Sequence, residues 1–367
     1  MDTDIFSNLY EISKHTRFPD SNGSKNTRNY LTNFLDSCNL PYEYSYSKMP
    51  NWSLKGMPIV EVTSPERYQF KALPAIFSLP TDGYVEGQLI ASDKIKMLDA
   101  FDWDKYAIKC NDIDVAYIIS TDYGAMMQPL PFDELNLPCV IVDTTENIKI
   151  KNWLNNNELI TVRLSNPSLI SGELETTSIF STTSYSEKVP FICAHYDTVY
   201  DNYGAHDNAS GVSILMELIK KSNSTFKFAF FDGEECNKVG SKAFVNRLKT
   251  RNELEAISYV LELDSVGVGD EIGFLASKKT YKSLKKISFD TLGLENHKIN
   301  ISQQTKIAFC DVWPFMSEGI PVIRMLTRGR NSNQIMHSPD DTIDKIEKDT
   351  LVNVYNIVEF LLQNLHI

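Results

Sequence analysis

The fold is indicated most clearly by the stretch "PFICAHYDTVYDNYGAHDNASGVSILMELIKK", which runs from Pro190 to Lys221. Its opening, "PFICAH", is a short apolar run bounded by polar residues, which is typical of a buried strand. Its end, "SGVSILMELIKK", places apolar side chains on one face of a helix: Val212, Leu215, Met216 and Ile219. The stretch therefore predicts a strand, a polar loop and a helix in succession.

The chain after Gly172 repeats this alternation. Further apolar strands are predicted at "FKFAFFD", "ISYVLELD" and "IPVIRML", with helical segments between them. The chain ends in an amphipathic helix that carries Leu351, Val354, Tyr355, Val358 and Leu365. Strands that alternate with helices predict an α/β fold with a mostly parallel, twisted central sheet flanked by helices.

The middle of the chain has a different pattern of apolar and polar residues. Residues 57–169 contain short apolar runs such as "VAYIIST" and "PCVIVD", separated by proline-bearing loops and with little helical periodicity. Residues before them include "NTRNYLTNFLDSC", which has helical spacing. We therefore predict a discontinuous main domain formed by 1–56 and 170–367, with 57–169 as a smaller β-rich inserted lobe.

Composition excludes some classes of partner. The 367 residues include 48 acidic and 36 basic side chains, for a formal net charge of −12. Such a chain is not expected to bind nucleic acid, because nucleic-acid binders usually present a basic face. The six cysteines form no CxxC pair and are predicted to be reduced thiols. No signal peptide or long apolar run is apparent, so no membrane partner is expected and the predicted location is cytoplasmic.

Acidic and histidine side chains recur where the predicted strands end. They are His195 and Asp197, then Asp232, Glu234 and Glu235, then Asp264, and finally His337 beyond the last strand. In open α/β sheets, functional groups collect at the carboxyl ends of the strands. Histidine nitrogens and carboxylate oxygens are ligands that zinc accepts. The set indicates a metal site at this edge of the sheet.

Which of these side chains hold metal is left open by position alone. The opening stretch offers two His-Asp pairs, at 195 with 197 and at 206 with 207. A pair of zinc ions needs a carboxylate that bridges them and another that accepts the proton of an attacking water. Two histidines, three ligating carboxylates and one free glutamate would meet that need.

Several motifs together resemble the co-catalytic dizinc aminopeptidases, a zinc peptidase family that also contains glutamate carboxypeptidases and glutaminyl cyclases. They are "HYD" (195–197), "GAHDNASG" (204–211), "FDGEE" (231–235), "LELDSVG" (261–267) and "HSPDDT" (337–342). Their order and spacing cover roughly residues 190–345 and imply a zinc exopeptidase-like fold. The insert, through "DIDVAYIIST" and "LPCVIV", is similar to the protease-associated lobe of some relatives.

The resemblance implies a role for each residue and two zinc ions per chain. It places His195 and Asp264 on one zinc, Glu235 and His337 on the other, and Asp207 between the two. It makes Glu234 the general base and puts Asp197 behind His195, where it would fix the tautomer of that ring. It also implies a cis peptide bond between Asp207 and Asn208.

The activity that the resemblance implies is that of a zinc-dependent aminopeptidase acting on peptides with a free amino terminus. A first alternative is a single-zinc glutaminyl cyclase-like acyltransferase. A second is an exopeptidase that reads a carboxylate through Arg324, Arg328 or Arg330, since arginine binds carboxylates bidentately. A third, outside catalysis, is a binding relative that uses the inserted lobe.

The chain departs from its relatives at two places. His206 stands where they commonly have Asp or Asn, and Cys310-Asp311-Val312 stands where they often read Ser-Asp-His. His206 is therefore not expected to be a ligand; it would tune the bridging Asp207, contact substrate, or simply be packed. Candidates for the walls of the substrate site are Tyr203, Trp313, Phe315 and Met336.

Overall fold

The computed structural model describes residues 2–97, 101–121, 127–129, 136–221, 226–294, 296–329 and 332–367. Within these ranges, no helix is both long enough and apolar enough to cross a membrane. All six cysteines lie in the described ranges, and none forms a disulfide bond.

The elements follow one another along the chain in the order below. The helices are α1 (Asp2–Ser13), α2 (Asn22–Ser37), α3 (Thr144–Asn155), α4 (Ser210–Lys221), α5 (Val239–Thr250), α6 (Lys278–Leu284), α7 (Val312–Ser317), α8 (Ser332–Ile335) and α9 (Lys348–Asn364). The strands are β1 (Tyr42–Leu54), β2 (Ile59–Ser64), β3 (Tyr68–Phe70), β4 (Ala72–Pro74), β5 (Val85–Ala91), β6 (Ile95–Met97), β7 (Phe101–Cys110), β8 (Ile113–Ser120), β9 (Cys139–Val142), β10 (Thr161–Ser165), β11 (Ser168–Ser181), β12 (Val189–His195), β13 (Lys227–Phe231), β14 (Ile257–Leu263), β15 (Glu271–Ala276), β16 (Lys298–Gln303) and β17 (Val322–Arg328).

The chain divides into two compact units. The larger comprises residues 1–49 and 175–367, and the smaller comprises residues 50–174. The smaller unit thus extends a few residues beyond the predicted insert at each end. Strands β1 and β11 each cross a unit boundary.

The larger unit is built on a sheet with the strand order β1-β11-β13-β12-β14-β17-β15-β16. Its centre, β13-β12-β14-β17, is parallel, whereas β11 and β15 run antiparallel to their inner neighbours β13 and β17. The prediction of an α/β fold with a mostly parallel central sheet flanked by helices is confirmed. The carboxyl ends of the central strands meet at one edge, where the predicted ligands lie.

Two apolar clusters cover the faces of this sheet. Along β12, Ile192 and Ala194 belong to one cluster and Phe191 and Cys193 to the other, because successive side chains of a strand point to opposite faces. The first cluster includes residues of α1, α2, α4 and α9, and the second includes residues of α5 and α7. Burying one large apolar side chain contributes about 1.5–3 kcal/mol, so these clusters rigidly hold the strand ends.

The smaller unit contains a sheet with the order β3-β2-β10-β5-β7-β8-β9-β4, and β6 pairs with β7. Its own apolar cluster draws on most of these strands and on Ile150 and Trp153 of α3. Asp143 caps α3, because its side chain accepts a hydrogen bond from the backbone N–H of Glu146. This unit is β-rich, as the sequence of the insert predicts.

Candidate metal centre

The predicted ligands converge at the carboxyl edge of the central strands. His195 ends β12, Asp264 directly follows β14, and Glu235 follows β13. Asp207 lies in the tight turn Ala205–Ala209 that leads into α4, and His337 follows α8. Each of these five side chains is at least nine-tenths buried. Residues far apart in sequence are thus brought into one small buried volume.

Asp207 stands between two groups of potential ligands. Its Oδ1 lies 3.2 Å from Nε2 of His195, and its Oδ2 lies 3.2 Å from Nε2 of His337. On the first side, Nε2 of His195 is also 3.6 Å from Oδ1 of Asp264. On the second side, Nε2 of His337 is 2.9 Å from Oε2 of Glu235. One carboxylate therefore presents one oxygen to each of two ligand sets.

Each set is compact enough to surround one ion. The potential ligand atoms of His195, Asp207 and Asp264 all lie within 4.8 Å of one another, and the same holds for Asp207, Glu235 and His337. Glu234 forms a third such group with His195 and Glu235. Zinc bonds of about 2.0–2.2 Å to histidine nitrogen and carboxylate oxygen fit these separations.

Several polar atoms of the predicted ligands are buried and unsatisfied. Among the described residues, Oδ1 of Asp207, Oε1 of Glu235 and Nδ1 of His337 are buried and have no hydrogen-bond partner. Buried polar atoms normally have partners, and buried carboxylates this close repel one another unless a positive charge lies between them. The residues present therefore fit a pair of metal ions.

The electrostatics of the histidines and of Asp207 agree with this. Burial opposes a charge on His195, but the carboxylates of Asp197, Asp207 and Asp264 outweigh it and raise its pKa well above the usual value. The pKa of His337 is raised well above its usual value in the same way, against burial, chiefly by Glu235 and Asp207. Burial opposes the charged form of Asp207, yet the two histidines hold its pKa well below the ordinary range. The protein field at this point favours positive charge.

Glu234 has the properties of a proton acceptor. Burial raises its pKa well above that of an ordinary glutamate, and Asp311 and Glu235 add to the effect, while His195 opposes it. A carboxyl group with a raised pKa can take a proton and later release it near neutral pH. Its position beside both ligand sets suits that task.

Asp197 holds the two adjacent glutamates. Its Oδ1 accepts a hydrogen bond from the backbone N–H of Glu234, and its Oδ2 accepts one from that of Glu235, both at 3.1 Å. Its carboxylate is 3.6 Å from Nδ1 of His195, and its own backbone oxygen is closer to that nitrogen, at 3.3 Å. The carboxylate thus fixes the loop after β13 more directly than it fixes the histidine ring.

Sequence reasoning missed two residues that hold Asp207. The Asp341 carboxylate, fully buried, accepts hydrogen bonds from the backbone N–H groups of His206 and Asp207, at 2.6 and 3.0 Å. The Arg17 guanidinium donates to the backbone oxygens of Tyr203 and Gly204 in the same loop. Asp341 lies in the motif "HSPDDT", so its role could have been predicted from the sequence. Arg17 lies in a polar segment whose sequence does not indicate a role in the site.

The structure brings His206 close to the site but turns it away from solvent. Its side chain is 1% exposed, and its Nδ1 accepts a hydrogen bond of 3.1 Å from the backbone N–H of Gly267. Burial lowers the pKa of His206 to about 4, so the ring is neutral. It links the turn that carries Asp207 to the loop after Asp264, which favours the packed role over contact with substrate.

The arginines and the candidate wall residues of the substrate site differ in exposure and in their contacts. Arg324 is buried and donates to Asp264, so its guanidinium faces a potential ligand, while Arg328 is exposed and lies 4.0 Å from Glu271. Arg330 lies outside the described residues. Among the wall candidates, Phe315 belongs to the apolar core, Trp313 and Met336 are half-buried, and Tyr203 is 46% exposed.

The peptide bond between Asp207 and Asn208 is cis, as the resemblance implies. The sequence profile of peptidase family M28 matches residues 178–362, which is half of the chain. The chain belongs to peptidase family M28. The matched residues include every predicted ligand and Glu234, and they exclude the inserted lobe.

The curated relatives include aminopeptidases. Aminopeptidase YwaD of Bacillus subtilis is 27% identical over 190 residues, which cover 46% of this chain and 39% of that protein. The chain spans half or less of the length of the curated relatives that it matches.

Solved structures extend the likeness of fold to nearly the whole chain. An aminopeptidase from Aneurinibacillus sp. strain AM-1 is 18% identical and superposes with a TM-score of 0.73. The superposition covers 98% of this chain and 92% of the aminopeptidase chain. A glutaminyl cyclase from Porphyromonas gingivalis is 13% identical with a TM-score of 0.54, covering 99% of this chain and 98% of its own. An aminopeptidase and a glutaminyl cyclase therefore share this fold.

Proposed function

We propose that the chain is a zinc-dependent aminopeptidase that removes the amino-terminal residue from peptides. The observation that carries this proposal is the position of Asp207, whose two oxygens face His195 and His337 at the same distance of 3.2 Å. A carboxylate so placed suits a bridge between two metal ions, and two-metal sites are a common device for hydrolysis.

In the proposed centre, His195 and Asp264 would hold one zinc ion, Glu235 and His337 would hold the other, and Asp207 would contact both. When bound, the ions would lower the pKa of an attacking water and polarise the carbonyl group of the peptide bond. Histidine and carboxylate ligands suit zinc, and one solved structure with this fold is that of a zinc aminopeptidase from Bacillus subtilis.

Glu234 would act as general base and then as general acid. Its carboxylate would take a proton from the attacking water and deliver it to the amine that leaves, so that the proton moves from water to product through one side chain. Asp197 would hold the backbone of Glu234 in place through the hydrogen bond to its N–H. The peptide's positively charged amino terminus would be attracted by the buried carboxylates around it, which favours an exopeptidase.

Two other functions are less well supported. A single-zinc cyclase would leave one of the two ligand sets around Asp207 without a purpose, although both are complete among the described residues. A carboxylate-reading exopeptidase would need a free arginine fork, whereas Arg324 is turned towards Asp264 and the exposed Arg328 lies 4.0 Å from Glu271.

The proposal is tested with a panel of aminoacyl chromogenic substrates, assayed before and after removal of metal by a chelator. We expect hydrolysis that disappears with the chelator and returns when zinc is added. N-blocked versions of the same substrates should not react, and glutaminyl peptides should not be cyclised. Cyclisation without hydrolysis, or cleavage of N-blocked, C-terminally free dipeptides, would replace the proposal by the corresponding alternative.

A further inference from the structure

Arg324 contacts a potential metal ligand from behind. It lies on β17, next to Glu262 of β14 in the parallel register, and is 8% exposed. Its Nη2 donates to Oδ2 of Asp264 at 2.7 Å. The contact therefore joins a buried guanidinium to the Asp264 carboxylate. In the proposed centre, Asp264 would hold a zinc ion together with His195 and would not hold the ion on the His337 side.

The two oxygens of Asp264 are thereby assigned to different partners. Oδ1 faces Nε2 of His195 at 3.6 Å and accepts a hydrogen bond from the Ser265 hydroxyl at 3.0 Å. Oδ2 is taken by Arg324. A carboxylate held in this way can offer one oxygen to an ion, and it cannot rotate to offer both.

The guanidinium plane is itself held. Its central carbon lies 4.8 Å from the centre of the Phe309 ring, a stacking contact that favours a cation. Glu262, which is fully buried and lies opposite Arg324 in the strand register, accepts a hydrogen bond from the backbone N–H of Asp311. Arg324 thus has an aromatic surface and an acidic neighbour that keep its fork directed at Asp264.

The other ligand set has no such partner among the described residues. Glu235 directs Oε2 to His337 at 2.9 Å, and its Oε1 is buried with no hydrogen bond. Both oxygens of Glu235 are therefore available to an ion. The protein therefore restrains the Asp264 carboxylate on the His195 side more tightly than the Glu235 carboxylate on the His337 side.

We propose that Arg324 is a positioning residue that fixes Asp264 as a one-oxygen ligand, and that it controls the affinity of the centre for the ion on the His195 side alone. The inference rests on the proposed two-metal centre. Residues that orient a ligand typically change metal affinity about 10- to 100-fold when they are replaced. The oriented carboxylate would leave that ion with open positions for water and substrate.

The test is a zinc titration of metal-free protein against a fluorescent zinc chelator, with no assay of activity. We expect the wild type to bind two ions. Arg324→Met and Arg324→Lys should bind one ion as the wild type does and the second about 10- to 100-fold more weakly. Arg328→Met is the matched control, because Arg328 is on the same strand, is exposed and faces Glu271, which is not a proposed ligand.

The outcomes separate the inference from the function on which it rests. A wild type that binds no zinc, or a single ion, would contradict the proposed centre itself. A second set of outcomes is that the wild type binds two ions while the Arg324 variants bind both ions with unchanged affinity, more tightly, or with equal weakening. Each of these results would overturn the role of Arg324 and leave the two-metal centre in place. Circular dichroism of the metal-free variants checks the fold; if Arg324→Met does not fold, Arg324→Lys, which keeps the charge but loses the fork, decides.

Discussion

At the scale of single residues, the site is held together by side chains that are not themselves ligands. Asp197 receives the backbone N–H groups of Glu234 and Glu235, and Asp341 receives those of His206 and Asp207. A buried carboxylate that accepts two backbone N–H bonds fixes a loop that would otherwise be free to move. Metal affinity should therefore depend on residues behind the ligands as well as on the ligands.

Replacing Asp197 by Asn tests this directly. The amide has one accepting oxygen, so one of the two N–H groups at Glu234 and Glu235 would face an NH₂ group and lose its bond. We expect zinc affinity to fall about 10- to 100-fold and activity to fall with it. Asp201→Asn, an exposed position four residues further along the same loop, should change neither zinc affinity nor activity; an equal loss in both variants would argue against the role of Asp197.

His206 gives a second prediction at this scale. Removing its ring in His206→Ala breaks the bond to the Gly267 N–H and leaves a cavity, so we expect a loss of about 2 kcal/mol in the free energy of unfolding. Because the ring is buried, preference among substrates should stay as in the wild type. Denaturant unfolding measures the loss, with the exposed His366→Ala as control. A changed substrate preference would show that His206 reaches the substrate.

At the scale of elements, helix α4 and strand β14 approach each other closely beside the proposed metal centre. The first turn of α4 contains Gly211, where an added Cβ would lie 2.3 Å from the backbone oxygen of Leu263, the residue before Asp264. That separation is far below van der Waals contact, so only glycine permits this approach. The small residues that follow Asp207 in "NASG" therefore allow α4 to pack closely against the end of β14, next to Asp264.

Gly211→Ala should therefore disturb both stability and metal binding. We expect a loss of about 1–3 kcal/mol, the usual cost of overpacking, together with weaker zinc binding because the Asp264 loop must shift. Gly56→Ala is the matched control, since a Cβ there meets only an ordinary contact at 3.8 Å. Thermal unfolding and zinc titration measure the two effects. Similar behaviour of the two variants would mean that the backbone of β14 can adapt without cost.

The elements and the ligand set could be predicted from the sequence to different degrees. The strands before His195 and Asp264 and helix α4 follow from periodicity, because a parallel strand is an apolar run and an amphipathic helix has a 3.6-residue period. The antiparallel pairing of β15 with β17 could not be read, since pairing direction leaves no mark on an apolar run. Nor could the partner of Arg324, because the contact with Asp264 depends on the register of two distant strands.

At the scale of the whole molecule, the two units have separate cores, and the proposed centre lies entirely in the larger one. The smaller unit has its own apolar cluster, which includes Val60, Ile108 and Ile118 and is fully buried at those positions. A unit with its own core can fold independently in principle. Metal binding should then stabilise one unit and leave the other unchanged.

Calorimetry of the intact chain tests this separation. Zinc at about 100 times its dissociation constant should stabilise the larger unit by about 2.7 kcal/mol per site, and its unfolding temperature should fall when a chelator is added. Residues 50–174 expressed alone should unfold cooperatively and show no response to zinc. A zinc-dependent shift in that isolated unit, or its failure to fold, would contradict the separation.

The most direct test of the central claim compares the two adjacent glutamates. In Glu234→Gln we expect two zinc ions per chain and a fall of roughly 100- to 10,000-fold in kcat for aminopeptidase substrates, because the proton acceptor is lost while the ligands remain. In Glu235→Gln we expect zinc content to fall towards one ion per chain, with activity lost as a consequence. Metal analysis and kinetics on the same samples give both readouts. Full activity in Glu234→Gln, or equal loss of zinc in the two variants, would contradict the account.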